Sequence, residues 1–237
     1  GPSPFEQGAR TAIIAMLDNA FATLPEIANN EQALVNMDAL LTVVEMMHPI
    51  LITHMQLDQF LQQFVPFLTS PQGPLNVESH LTIIAVRIAS IIQAWGQGIK
   101  HGTVAGVFDI LVQMLKAPSL ALRIQAVTAV RAMLDHHLDS DALSARLVPF
   151  LDSCLGMLRD VKSPEAQWSC LNLIEVLISE EARSGRYEIS RPVLDQLVVL
   201  WGSEDSEQLV RHGILDVLKA VLLMSCPSRN EKRVPLS

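Results

Sequence analysis

Two histidines, His136 and His137, stand beside Asp135 and Asp139, and three cysteines, Cys154, Cys170 and Cys226, follow them. Imidazole, carboxylate and thiolate are the ligands of zinc, so the question is whether these groups can meet at one point. Adjacent histidines at the end of a helix diverge, and a closed site needs three or four converging ligands. The tract therefore reads as a solvated turn, and no metal is expected. Cys154 and Cys170 fall on facing helices of one hairpin and can approach each other, but no cation nearby would hold a thiolate, so they read as buried structural thiols. The sequence has no glycine-rich phosphate loop, no nucleophile elbow and no paired catalytic carboxylates on separate elements. Neither an enzyme nor a bound cofactor is expected.

A different constellation suits protein binding. At about 100° per residue, residues 164–179 place Ile174, Leu177 and Ile178 at an apolar centre, while Trp168, Asn172, Glu175 and Ser179 gather opposite. Asn172, one turn after Trp168, can hydrogen-bond an extended peptide backbone. The indole can flank an aliphatic or cationic stem, and Glu175 can receive a lysine or arginine. The alternative is that Trp168 wedges between neighbouring helical units. The corresponding side of the last helix carries Asp205, His212, Asp216 and Lys219, a mixed face whose plain reading is solvation, and Asp216 joins the candidate contacts. The Trp-x-x-x-Asn spacing resembles the peptide-gripping pair of importin-α armadillo repeats.

These side chains are positioned by a repeated helical hairpin, and the clearest half of one is residues 118–135. There Leu122, Ala126, Ala129, Val130, Met133 and Leu134 return every three or four positions, opposite Gln125, Arg131 and Asp135. A Pro118-Ser119 turn opens this helix, and the preceding apolar helix is so close in sequence that the two must lie antiparallel. An arginine after an aliphatic residue marks the start of such second helices. Val86-Arg87 lies 36 residues before Arg123 and Val210-Arg211 lies 88 after it, with the intermediate step at Ala166-Gln167. In first helices the phrase Phe64-Val65-Pro66-Phe67-Leu68 is echoed 83 residues later by Leu147-Val148-Pro149-Phe150-Leu151. A period of roughly 40 to 47 residues with two helices per unit is that of HEAT repeats, each burying its apolar face only against its neighbours.

Composition agrees with an all-α chain. The 237 residues are 49% apolar but only 5% aromatic, with a single tyrosine, and leucine and alanine fill the periodic segments. Arg87 interrupts the longest apolar run short of the roughly 18 to 20 residues of a membrane span, so no membrane insertion is expected. A formal charge of −8, from 17 basic and 25 acidic residues, disfavours direct nucleic-acid binding and favours basic partners. Three cysteines are too few for a disulfide framework, which points to a reducing compartment. Gly1-Pro2-Ser3 reads as a scar of tag cleavage.

Taken in order, helices are expected at residues 5–24 and 31–47, the second stopped by His48-Pro49. Helices at 55–68, bent at Pro66, and 77–97 follow, joined by the loop 69–76; Ile83, Ile84, Ile88, Ile91, Ile92 and Trp95 form the dry side, and Gly96 and Gly98 end the second helix. Residues 103–116 pair with the 118–135 helix. Residues 142–160 lead to a helix capped by Ser163-Pro164-Glu165 and running to about 182. Helices at 189–201 and 203–225 complete the chain. The units are roughly 4–48, 49–98, 99–137, 138–184 and 185–226, with 227–237 a polar tail.

The pattern from Arg87-Ile88 to Trp95 resembles second helices of the importin-β superfamily of nuclear transport receptors, the karyopherins. Leu120-Ala121-Leu122-Arg123-Ile124 through Pro149-Phe150-Leu151, the helix around Leu171 to Ile178, and Leu197-Val198-Val199-Leu200-Trp201 followed by His212-Gly213-Ile214-Leu215 resemble the middle-to-late region of its importin-11 type. The likeness covers about residues 75–225. It implies a right-handed superhelical HEAT-repeat α-solenoid of about five antiparallel hairpins, which shuttles between cytoplasm and nucleus. It also implies protein cargo bound largely by second helices and Phe-Gly nucleoporins docked between outer first helices. Ran, in its GTP form, is held by the amino-terminal repeats of such receptors, which have no counterpart in this segment. The rival readings are a HEAT scaffold or regulatory subunit outside transport and, more remotely, a metalloprotein built on His136 and His137.

Overall fold

The computed structural model describes residues 3–51, 55–99, 101–137, 141–184, 190–202 and 207–225. Among them every regular element is helical. The chain divides into two compact units, residues 1–146 and 147–237.

The first unit begins with α1 (Pro4–Thr23) and α2 (Glu31–Met46), which pack together. Ser3, set aside in the sequence as part of a cleavage scar, caps α1: its hydroxyl accepts the Glu6 amide at 3.2 Å while the Glu6 carboxylate accepts the Ser3 amide at 2.6 Å. Asn30 caps α2 through the Ala33 amide at 3.0 Å. The short α3 (His48–Leu51) includes Pro49, so the proline opens a new turn rather than following the last one. Next come α4 (Leu57–Thr69), with Pro66 inside it, and α5 (Thr82–Trp95), ended at Gly96–Gly98 by a tighter turn.

The start of α5 corrects the expected helix from residue 77. The connection winds around the C-terminus of α4, where the Asn76 amide donates to the Thr69 and Ser70 carbonyls at 3.2 and 2.8 Å. Gly73 permits this wrap, because a Cβ there would lie 2.4 Å from the Phe67 carbonyl oxygen. Ile83, assigned to the dry side, is exposed, since it points a quarter-turn away from Ile84.

The remaining elements of this unit are α6 (Val104–Leu115), α7 (Leu120–His137) and the single turn α8 (Asp141–Ser144). Each second helix packs on its own first helix, α4 with α5 and α6 with α7, and the second helices stack as α2 on α5 and α5 on α7. Ile84, Ile88, Ile91, Ile92 and Trp95 of α5 and Leu122, Ala126, Ala129, Val130, Met133 and Leu134 of α7 are all fully buried. Burying each such aliphatic side chain contributes about 1.5 to 3 kcal/mol, while the alanines let helices approach closely.

The second unit holds α9 (Leu147–Asp160), α10 (Pro164–Ser184), α11 (Ser190–Trp201) and α12 (Gln208–Ser225). Here too first helix packs on second, α9 with α10 and α11 with α12, and the second helices α10 and α12 share the most extensive seam. The stretch 142–160 is divided between α8 and α9. Pro149 needs no amide partner in a first turn, so α9 starts just before it. Arg146 leaves the helical line to clasp Asp109 of α6 with two bonds of 2.7 Å. Residues 203–206, where the last helix was expected to begin, and Asp139, Asp205, Cys226 and the 227–237 tail lie outside the described residues.

Candidate protein-binding face

The polar face expected on α10 is built by helical period and by one close approach. Leu171, Ile174, Leu177 and Ile178 are buried, which turns Trp168, Asn172, Glu175 and Ser179 to the less covered side. That side is not a free surface. Trp168 is 37% exposed, and its buried part lies at the seam with α12, where Gly213 faces it. A Cβ on Gly213 would stand 3.4 Å from Trp168 Cδ1 and 3.0 Å from Leu171 Cδ1. Trp168 is thus both a wedge at the α10–α12 seam and an indole with an open face. Asn172 and Glu175 are half-buried along the following turns.

Asp216 is exposed on α12, one turn after Gly213, and its carboxylate lies 3.6 Å from His212 Nε2 on its own helix. Lys219 is exposed beside it. The structure places the four candidates on two adjoining second helices and brings Trp168 to the seam. At the outer end of the same hairpin, the Arg211 guanidinium lies 5.9 Å from the centre of the Trp201 ring, a cation–π contact between α12 and α11. Val198, Val199, Leu222 and Leu223 are about 70% exposed on these two helices.

The histidine tract departs in part from its sequence reading, while the two described cysteines agree with theirs. His136 is exposed, but His137 is buried rather than solvated, with Nε2 at 2.8 Å from the Gly96 carbonyl oxygen. That contact ties the end of α7 to the end of α5. Among the described residues no three His, Cys, Asp or Glu side chains gather as a metal site. Cys154 on α9 and Cys170 on α10 are both buried thiols. Burial pushes the Cys154 thiol well above its ordinary pKa, and neighbouring Cys170 pushes it further. Such a thiol is protonated and unreactive at neutral pH. No described helix is long and apolar enough to cross a membrane.

Sequence reasoning missed the polar ladder along the second helices of the first unit. Arg87 of α5 reaches back to α2, donating from Nε to Asp38 Oδ1 at 3.1 Å and from Nη1 to Glu45 Oε2 at 3.2 Å. Burial alone would depress the arginine's pKa, but the two carboxylates outweigh it and raise it. Between α5 and α7 the Gln93 side-chain oxygen accepts from Gln125 at 2.9 Å and Thr128 at 3.2 Å. The recurring arginine was a usable signal, but its acceptors lie on another helix more than 40 residues away.

No protein-family model matches the sequence, and neither a curated protein nor a solved structure matches it.

Proposed function

We propose that the chain is a HEAT-repeat segment of a nuclear transport receptor, which acts by presenting helix faces to protein partners. The observation that carries this reading is the stacking of second helix on second helix, α2 on α5 on α7 in one unit and α10 on α12 in the other. That arrangement is what a solenoid of stacked hairpins requires. Such stacking leaves one edge of each second helix open to partners, and the half-exposed Trp168 with Asn172 and Glu175 is the peptide-binding edge of this reading. Asp216 extends it onto α12. Protein cargo, preferentially basic, and Phe-Gly nucleoporins are the proposed partners, with Ran left to other repeats. The chain performs no bond chemistry in this reading.

The test is affinity capture from nuclear and cytosolic extracts with Phe-Gly repeat peptides as a separate bait. Wild type is compared with Trp168→Ala/Asn172→Ala and with the milder Glu175→Lys, each first checked by circular dichroism. Capture of basic nuclear proteins by wild type, lost in both variants, supports the reading, as does capture of Phe-Gly peptides that both variants retain. Recovery of one stable cytosolic complex without either would replace it with a scaffold outside transport.

A further inference from the structure

The net charge of the chain is concentrated at one end. Residues 1–86 contain eight acidic side chains and one basic, Arg10, whereas the remaining 151 residues carry 17 acidic and 16 basic. Arg87 offsets one of the two charges of Asp38 and Glu45, and the other acidic side chains of this end are Glu6, Asp18, Glu26, Glu31, Asp58 and Glu78.

In the same region α1 and α4 are held apart by aromatic side chains. Phe21 meets Phe60 and Phe64 edge-on, with ring centres 5.9 and 5.3 Å apart. Either side of this bridge lies a hollow, one of about 440 Å³ and one of about 460 Å³. Phe21 and Gln63 line both, so the hollows are two ends of one cleft. Its α1 wall is a helical stripe, Ile14, Leu17, Asp18 and Phe21, continued by Leu24 and Pro25. Its α4 wall repeats at the same spacing with Gln56, Gln59, Gln63 and Phe67. Among the described residues neither hollow has a lysine or arginine in its wall, while Asp18 lines one and Glu26 sits between Pro25 and Ile27 of the other.

We infer that the α1–α4 cleft binds a basic amphipathic helix of a partner protein. Two walls with repeating three- and four-residue spacing flank an apolar floor about three turns long, which suits apolar anchors at i, i+3 or i+4, and i+7. The glutamine row supplies uncharged donors and acceptors to the helix's polar flank. The excess of carboxylates selects lysine and arginine there and repels acidic helices. The cleft lies between two first helices, the place the transport reading gives to Phe-Gly peptides, so a basic helix competes with that reading here, while the α10 face shares none of its helices and variants of one face leave the other intact.

The probe is a fluorescein-labelled Leu/Lys peptide with leucine at every third or fourth position, titrated against the whole chain by anisotropy. Its controls are the same peptide with glutamate for lysine and with two central prolines. Asp18→Lys and Gln63→Lys, both at exposed positions, are expected to weaken binding at least about fivefold each, and Asp152→Lys on α9 by about twofold or less. Binding that resists both cleft variants, or that Asp152→Lys weakens equally, overturns the assignment. So does equal binding of the glutamate or proline peptide, or no binding at millimolar peptide. Equilibrium sedimentation supplies the last arm: self-association abolished by Gln63→Lys would give the cleft to a second copy instead.

Discussion

Gly213 of α12 lies against Leu171 of α10 so closely that a Cβ at 213 would sit 3.2 Å from the leucine's own Cβ. Because that atom is anchored near the backbone, any side chain at 213 must push the helices apart. Gly213→Ala sets a helix-propensity gain of about 1 kcal/mol against this crowding, and the two nearly cancel. Gly213→Val is expected to cost about 2 kcal/mol by overpacking. Urea denaturation of Gly213→Val, Leu171→Ala and their combination should show favourable coupling. Strict additivity would mean the seam is looser than described.

Arg87 connects α5 to two carboxylates of α2 in a partly solvated setting, with side chains 25 to 30% exposed. Screening by water keeps such a network modest, so Arg87→Met should cost about 1 kcal/mol in low salt. The loss should shrink as ionic strength rises. A cost that does not depend on salt would assign the effect to packing of the arginine stem.

Glu165 accepts a hydrogen bond from the Ser163 hydroxyl at 2.6 Å, and this bond chiefly holds its carboxyl below the ordinary range. Since the folded pKa is the lower one, the associated stabilisation is present above the ordinary carboxylate pKa and fades as pH falls through the folded value. Carbon-detected NMR should show Glu165 titrating higher in Ser163→Ala. An unmoved titration would refute the hydroxyl's role.

Cys154 and Cys170 have no solvent path in the folded chain. At pH 8, iodoacetamide should modify them only as fast as the second unit opens, and denaturant should accelerate both together. Rapid labelling of Cys154 under native conditions would contradict both its burial and its raised pKa.

Leu177 is buried in α10 at 2% exposure, so Leu177→Ala should cost about 2 to 5 kcal/mol. A chemical-denaturation midpoint equal to wild type would contradict the helical register on which the Trp168 face depends.

Helical periodicity carried most of the fold. The apolar set of α7, the Ser163 cap of α10 and the glycines closing α5 were all visible as local patterns, because each depends on neighbours within a turn or two. The failures have two causes, a partner remote in sequence and a loop that folds back on the helix it leaves. His137 is buried because Gly96, 41 residues earlier, presents a carbonyl to it. Residues 77–81 were read as the first turn of the second helix, yet Asn76 and Gly73 bend the chain around the end of α4. For the candidate face, period alone turned Trp168 away from the helix core, but its approach to Gly213 needed two helices placed side by side. The α1–α4 cleft went unread although its acidic bias was countable in the first 86 residues, since charge reveals a sign and not a groove.

The grip of Arg87 has a mechanical consequence. Its two acceptors are seven residues apart on α2, two turns of helix and roughly 10 Å along the axis. A side chain fastened at both points acts as a detent: α5 cannot slide or roll along α2 by a turn without letting go of one carboxylate. Between α5 and α7 the register is held differently, by Gln125 and Thr128 on one Gln93 oxygen and by His137 on the Gly96 carbonyl at the helix ends.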